Sequence, residues 1–113
     1  MPQTNQKNSP PDRQVQGKEG IYLNDLADGA VLDIETQHHH YRLVKRADIH
    51  VRISGHPTFC PEPIDVEIEG SIEKGPTLVP KPGFIGRGMH LIMKHPNFGW
   101  VTTSRIRDIH KLS

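Results

Sequence analysis

From Leu32 onward the apolar residues of this 113-residue chain recur at every second position in short runs, and that period constrains the fold more than any other feature. Leu32 and Ile34 alternate with Asp33 and Glu35. Ile49, Val51 and Ile53 alternate with His50 and Arg52. Ile64, Val66 and Ile68 alternate with Asp65, Glu67 and Glu69, and Met89, Leu91 and Met93 with His90, Ile92 and Lys94. Successive side chains of a strand point to opposite faces, so this pattern describes antiparallel strands with one face buried. Tyr41 to Arg46 and Trp100 to Thr103 are two further β-prone runs.

Ten glycines and ten prolines cut the chain at intervals that suit short strands. Five or six such strands have to enclose one small core. Closing them into a barrel does so and removes exposed edges. The expectation is an all-β fold: a small antiparallel barrel, SH3-like or similar and partly open. Its C-terminus reads either as a closing strand or as a short helical turn, because Ser104 could cap a segment in which Ile106, Ile109 and Leu112 recur every third residue.

The barrel is expected over residues 21–113. Residues 1–20 (MPQTNQKNSPPDRQVQGKEG) hold almost no core-forming side chains and read as a disordered polar arm, since they cannot bury enough surface to offset their ordering entropy. Only 34% of the whole chain is apolar, but most of that lies after the arm. A single cysteine, Cys60, rules out an intrachain disulfide and fits a reducing compartment. No apolar run reaches the length of a membrane span, so the expected setting is the cytoplasm, away from the bilayer.

Net charge is +1, which argues neither for nor against a charged partner. The distribution says more. Residues 81–113 carry six Lys/Arg against Asp108 alone, whereas residues 21–80 carry five Lys/Arg against ten Asp/Glu. The basic strands either pair with acidic ones inside the fold or leave a basic face free. Where His50 and Arg52 stand across from Asp65, Glu67 and Glu69, the first alternative follows.

Four features suggest chemistry. Thr36-Gln37-His38-His39-His40-Tyr41 places His38 and His40 on one side of an extended chain and His39 on the other. An imidazole pair of this kind begins a zinc, copper or nickel site, but no carboxylate follows in Tyr41 to Arg46, and the same four polar residues make an ordinary hairpin tip. His56-Pro57-Thr58-Phe59 and His95-Pro96-Asn97-Phe98 repeat the pattern H-P-x-F. Proline fixes φ and holds the preceding histidine extended, so each reads as a turn whose phenylalanine folds over an open end of the core. A ligand site between the two turns is the sharper alternative. Gly83-Phe84-Ile85-Gly86-Arg87-Gly88 matches neither a dinucleotide fingerprint nor a phosphate loop, and reads as a bulge or barrel corner. Cys60 and the serines lie in no nucleophile pattern.

These features describe a non-enzymatic, cofactor-free binding module. The leading reading is protein–protein contact or self-association. The alternative is single-stranded nucleic acid on Arg87, Lys94, Trp100, Arg105 and Arg107, with Phe84, Phe98, His90 and His95 available to assist. Against it, Trp100 is also the natural candidate for the core of so small a domain. The third reading is a metal protein using His38 and His40.

Overall fold

A computed structural model describes residues 20–73 and 80–113. The polar arm expected over residues 1–20 lies outside them, apart from Gly20, which opens β1 (Gly20–Tyr22). A single 3₁₀ turn (Leu23–Asp25) follows, then β2 (Val31–Thr36), β3 (His40–Ala47), β4 (His50–Ser54), β5 (Ile64–Ile72), β6 (Lys81–Pro82), β7 (Phe84–Gly86), β8 (His90–His95) and β9 (Gly99–Lys111).

Six of these strands form a closed antiparallel barrel in the order β2-β3-β4-β5-β8-β9, with β9 returning to β2. It is an up-and-down barrel: each strand pairs with its neighbour along the chain, and β6 and β7 are an insertion between β5 and β8. β6 extends the β5 edge at Gly70–Ser71, while β7 pairs with β1 in a separate two-stranded sheet.

The period-two residues fill the barrel. Leu32, Ile34, Leu43, Val51, Ile53, Ile68 and Leu91 are completely buried, with Val66, Met93 and Val101 beside them. Each such side chain stabilises the fold by roughly 1.5–3 kcal/mol relative to exposure. The end formed by the 3₁₀ turn is closed by Leu23, Leu26, Ala30 and Ile85. Lys45 falls in the inward phase of β3, so its stem runs through the core. Its ammonium donates to the backbone carbonyls of Leu23 and Leu26 at 2.8 and 3.0 Å. The lysine thereby ties the turn to the barrel, sharing the Leu23 carbonyl with the turn's own bond from Leu26 N–H and satisfying that of Leu26.

The expected facing of charged rows occurs between β4 and β5. Arg52 stands across from Asp65 and His50 across from Glu67. Arg52 Nε lies 3.0 Å from Asp65 Oδ1, and this hydrogen bond lowers the Asp65 pKa and raises that of Arg52.

The C-terminal segment is a strand as far as Lys111, with Leu112 beyond its end. Its three-residue spacing of Ile106 and Ile109 comes from a β-bulge: β9 advances from Ile106 to Asp108 while β2 moves only from Thr36 to Glu35. The extra residue, Arg107, restores Ile109 to the core side, where it packs against the buried cluster.

Candidate functional site

Three hairpin loops meet at the end of the barrel opposite the 3₁₀ turn, and they are the three that carry the histidine and H-P-x-F motifs. The β2–β3 tip is closed by Thr36, whose hydroxyl accepts from His39 N–H and donates to His39 O. His38 and His40 face solvent, and His40 Nδ1 lies 3.7 Å from Asp33. His39 turns the other way and lies on His56, with ring centroids 4.2 Å apart. The two loops can approach because Gly55, at φ +124°, has no side chain to collide with the His40 carbonyl. Among the described residues no group of three His, Cys, Asp or Glu is placed to hold a metal ion.

The two H-P-x-F turns have the same local structure. His56 Nδ1 accepts from the N–H groups of Thr58 and Phe59, and His95 Nδ1 accepts from those of Asn97 and Phe98. The motif is therefore a histidine-capped turn, with the imidazole doing what an aspartate does in an Asx turn. His95 goes further. Its Nε2 lies 2.6 Å from Phe59 O, and since a carbonyl only accepts, Nε2 carries the proton. Thus one turn is bonded to the other, and Phe59 and Phe98 meet edge to face at 5.2 Å. Burial of His56, together with the neighbouring His39, lowers its pKa.

Beneath the first turn, Cys60 N–H donates to His56 O and Gly55 N–H donates to Cys60 O, which closes the loop over a buried thiol. Burial pushes that thiol's pKa up. Burial, with a smaller contribution from Cys60, pushes the Tyr41 phenol up to about 12. Both groups are therefore neutral near pH 7 and unsuited to act as nucleophile or base there. Between the turns lies an open cleft of about 250 Å³, whose lining combines Phe59, Pro61, Pro63, Ile64 and Phe98 with polar residues that include Glu62.

The β8–β9 hairpin rises beside this cleft. Gly99, at φ +73°, completes its tight turn. Phe98 is 53% exposed and Trp100 60% exposed. The expectation that Trp100 belongs to the core is thus overturned. Val101 and Thr103 occupy the inward positions of β9, which leaves Trp100 and Thr102 facing out. The phenylalanines differ in the same way, since Phe59 packs on the core and Phe98 does not.

The residues considered for nucleic acid are divided by the fold. Lys94 stands directly across from Trp100, and Arg105 lies exposed further along β9. Arg107 is exposed at the bulge. Arg87 is bound to Asp108 at 2.9 Å, and Lys94 has Glu67 on its other flank. Phe84, His90 and His95 are buried and cannot stack on a base. His90 Nδ1 bonds Thr103 O at 2.9 Å, where β8 and β9 slip register, and its Nε2 is buried without a protein partner.

One backbone feature of the hairpin has no signal in side-chain periodicity. β9 pairs with β8 from Gly99 to Arg105, but β2 joins its other edge only at Ile106. Gln37 N–H bonds Arg105 O at 3.0 Å and marks the end of the β2–β3 tip. Among the described residues no strand covers that edge from Gly99 to Ser104. No described helix is long and apolar enough to cross a membrane. No protein-family model, curated protein or solved structure matches the chain.

Proposed function

We propose that this chain is a non-enzymatic binding module that makes protein–protein contacts, self-association included, through the hairpin end of its barrel. The observation that carries this reading is the outward display of Phe98, at a cleft whose lining includes Phe59, Pro61, Pro63 and Ile64, and of Trp100 two residues on in the same hairpin. The core is filled without these two rings, and exposed apolar surface of this kind marks contact sites. A shallow surface of aromatic rings and prolines is SH3-like in manner, suited to an extended segment of protein. The lone buried thiol fits a cytoplasmic setting.

Single-stranded nucleic acid is the second reading, favoured by Lys94, Trp100 and Arg105 on one outer face. It ranks lower because Glu67 flanks Lys94, Asp108 holds Arg87, and a single ring on that face offers one stacking platform.

Amide NMR separates the two. Spectra are recorded over a range of protein concentrations, then with short DNA and RNA oligonucleotides at low and moderate salt. Concentration-dependent shifts at Phe98 to Trp100, with none from oligonucleotides, support protein contact. Salt-sensitive oligonucleotide shifts over Lys94, Trp100, Arg105 and Arg107 overturn it in favour of nucleic acid.

A further inference from the structure

We infer that the contact is made with a second copy of this chain, added as a strand at the open edge of β9; the inference rests on the protein-contact reading above and names its partner. Between Gly99 and Ser104 one edge of β9 has no strand beside it among the described residues. Such an edge presents backbone donors and acceptors that template a further strand. Chains that keep an edge single blunt it with lysine, proline, an inward charge or a β-bulge. Gly99-Trp100-Val101-Thr102-Thr103-Ser104 has no lysine, proline or inward charge, its one irregularity lies at Thr103 and Ser104, and Trp, Val and Thr favour extended backbone. The register slip opposite Thr103 and Ser104 bends the far end of the edge but leaves it uncovered.

A second copy of the same strand fits this edge without bringing like charges together. Two β9 strands running antiparallel about a two-fold axis at Thr102 form an isologous contact, in which the same patch serves both sides. Trp100 of each copy then lies against Ser104 and Arg105 of the other, which brings a guanidinium to an indole face. The two Arg105 side chains fall at opposite ends of the ribbon, so no like charges meet. Thr102, exposed and at the centre, faces itself.

That self-facing position gives the test. Sedimentation velocity of the full chain is run over a wide range of concentration for the wild type, Thr102→Lys, Thr102→Glu and an equal mixture of the two variants. Like charges directly opposite are unfavourable and opposite charges favourable. The expected result is a concentration-dependent dimer for the wild type, weaker by up to about fivefold in either variant alone, which is roughly 1 kcal/mol, and restored in the mixture. Restoration also shows that both variants fold. A wild type that stays monomeric overturns the second copy while leaving contact with a different protein standing. A dimer unaffected by either variant overturns the β9 edge. Oligonucleotide shifts in the preceding experiment overturn the protein-contact reading itself.

Discussion

The two H-P-x-F turns share a local structure but differ in one bond, and that difference fixes the relative cost of removing their histidines. His95→Ala removes the acceptor for Asn97 and Phe98 N–H, at 3.0 and 3.3 Å, and the donor to Phe59 O at 2.6 Å. The two N–H groups sit in an exposed turn, where water replaces the ring, so their loss counts for little. The bond to Phe59 O spans two loops and involves a ring only 3% exposed. A net hydrogen bond contributes about 0.5–1.5 kcal/mol, and the lost ring packing adds a comparable amount, for a total of about 1–3 kcal/mol. His56→Ala removes the matching local bonds, at 3.0 and 3.2 Å, and a partly exposed ring contact with His39 at 4.2 Å, but no hydrogen bond to another loop. Its cost is expected below about 1 kcal/mol. Urea unfolding at about pH 8, where an ordinary imidazole is neutral, measures both as midpoint shifts at unchanged slope. Equal costs for the two variants would refute the assignment of the bond between loops as the source of the difference.

Three further outcomes are expected. Because the folded state lowers the His56 pKa below its ordinary 6.5, the unfolded chain takes that proton first on acidification. The stability this neutral ring contributes is complete above pH 6.5 and is lost as pH falls from there toward the folded value. Unfolding across that window should therefore show a larger acid loss in the wild type than in His56→Ala; equal losses would count against burial of the His56 ring, to which His39 adds, as the cause of the lowered pKa. Lys45→Ala removes a charged donor from two buried carbonyls and should cost about 2–4 kcal/mol in thermal or urea unfolding. Arg52→Glu puts like charges across β4 and β5 and should lower the melting temperature, with partial recovery when Asp65→Lys is added.

The barrel was legible because its strands keep strict alternation where they pair regularly: Leu32 with Ile34, Val51 with Ile53, Val66 with Ile68, and Leu91 with Met93 all lie inside. The pairing of Arg52 with Asp65 followed from the same parity. Parity fails at β9, where Arg107 is an extra residue and β8 slips between His90 and Ile92. A bulge turns a spacing of two into three, so Ile106 and Ile109 imitate a helical turn. The same slips hide which face Trp100 takes, and size alone then suggests the core. At the hairpin end, each H-P-x-F turn could be read locally. Their meeting could not, since His95 reaches Phe59 only because the barrel brings the β4–β5 and β8–β9 hairpins to one end. The open edge of β9 depends on where β2 stops pairing, which is a property of register and not of any single residue.

The seam between β2 and β9 has a kinetic consequence. Most of the barrel's strand pairs are hairpins, in which Glu35 pairs with His40 and His95 with Gly99. The seam instead joins Leu32 to Lys111, a separation of 79 residues (111 minus 32). Bringing such distant segments together from the open chain costs about 2–3 kcal/mol more in loop entropy than closing a hairpin, by the logarithmic dependence on length. The meander is thus expected to zip from its hairpins and to meet at this seam last. Native-state hydrogen exchange should find the same order in reverse, with the amides shared by β2 and β9 opening before those of the β8–β9 hairpin.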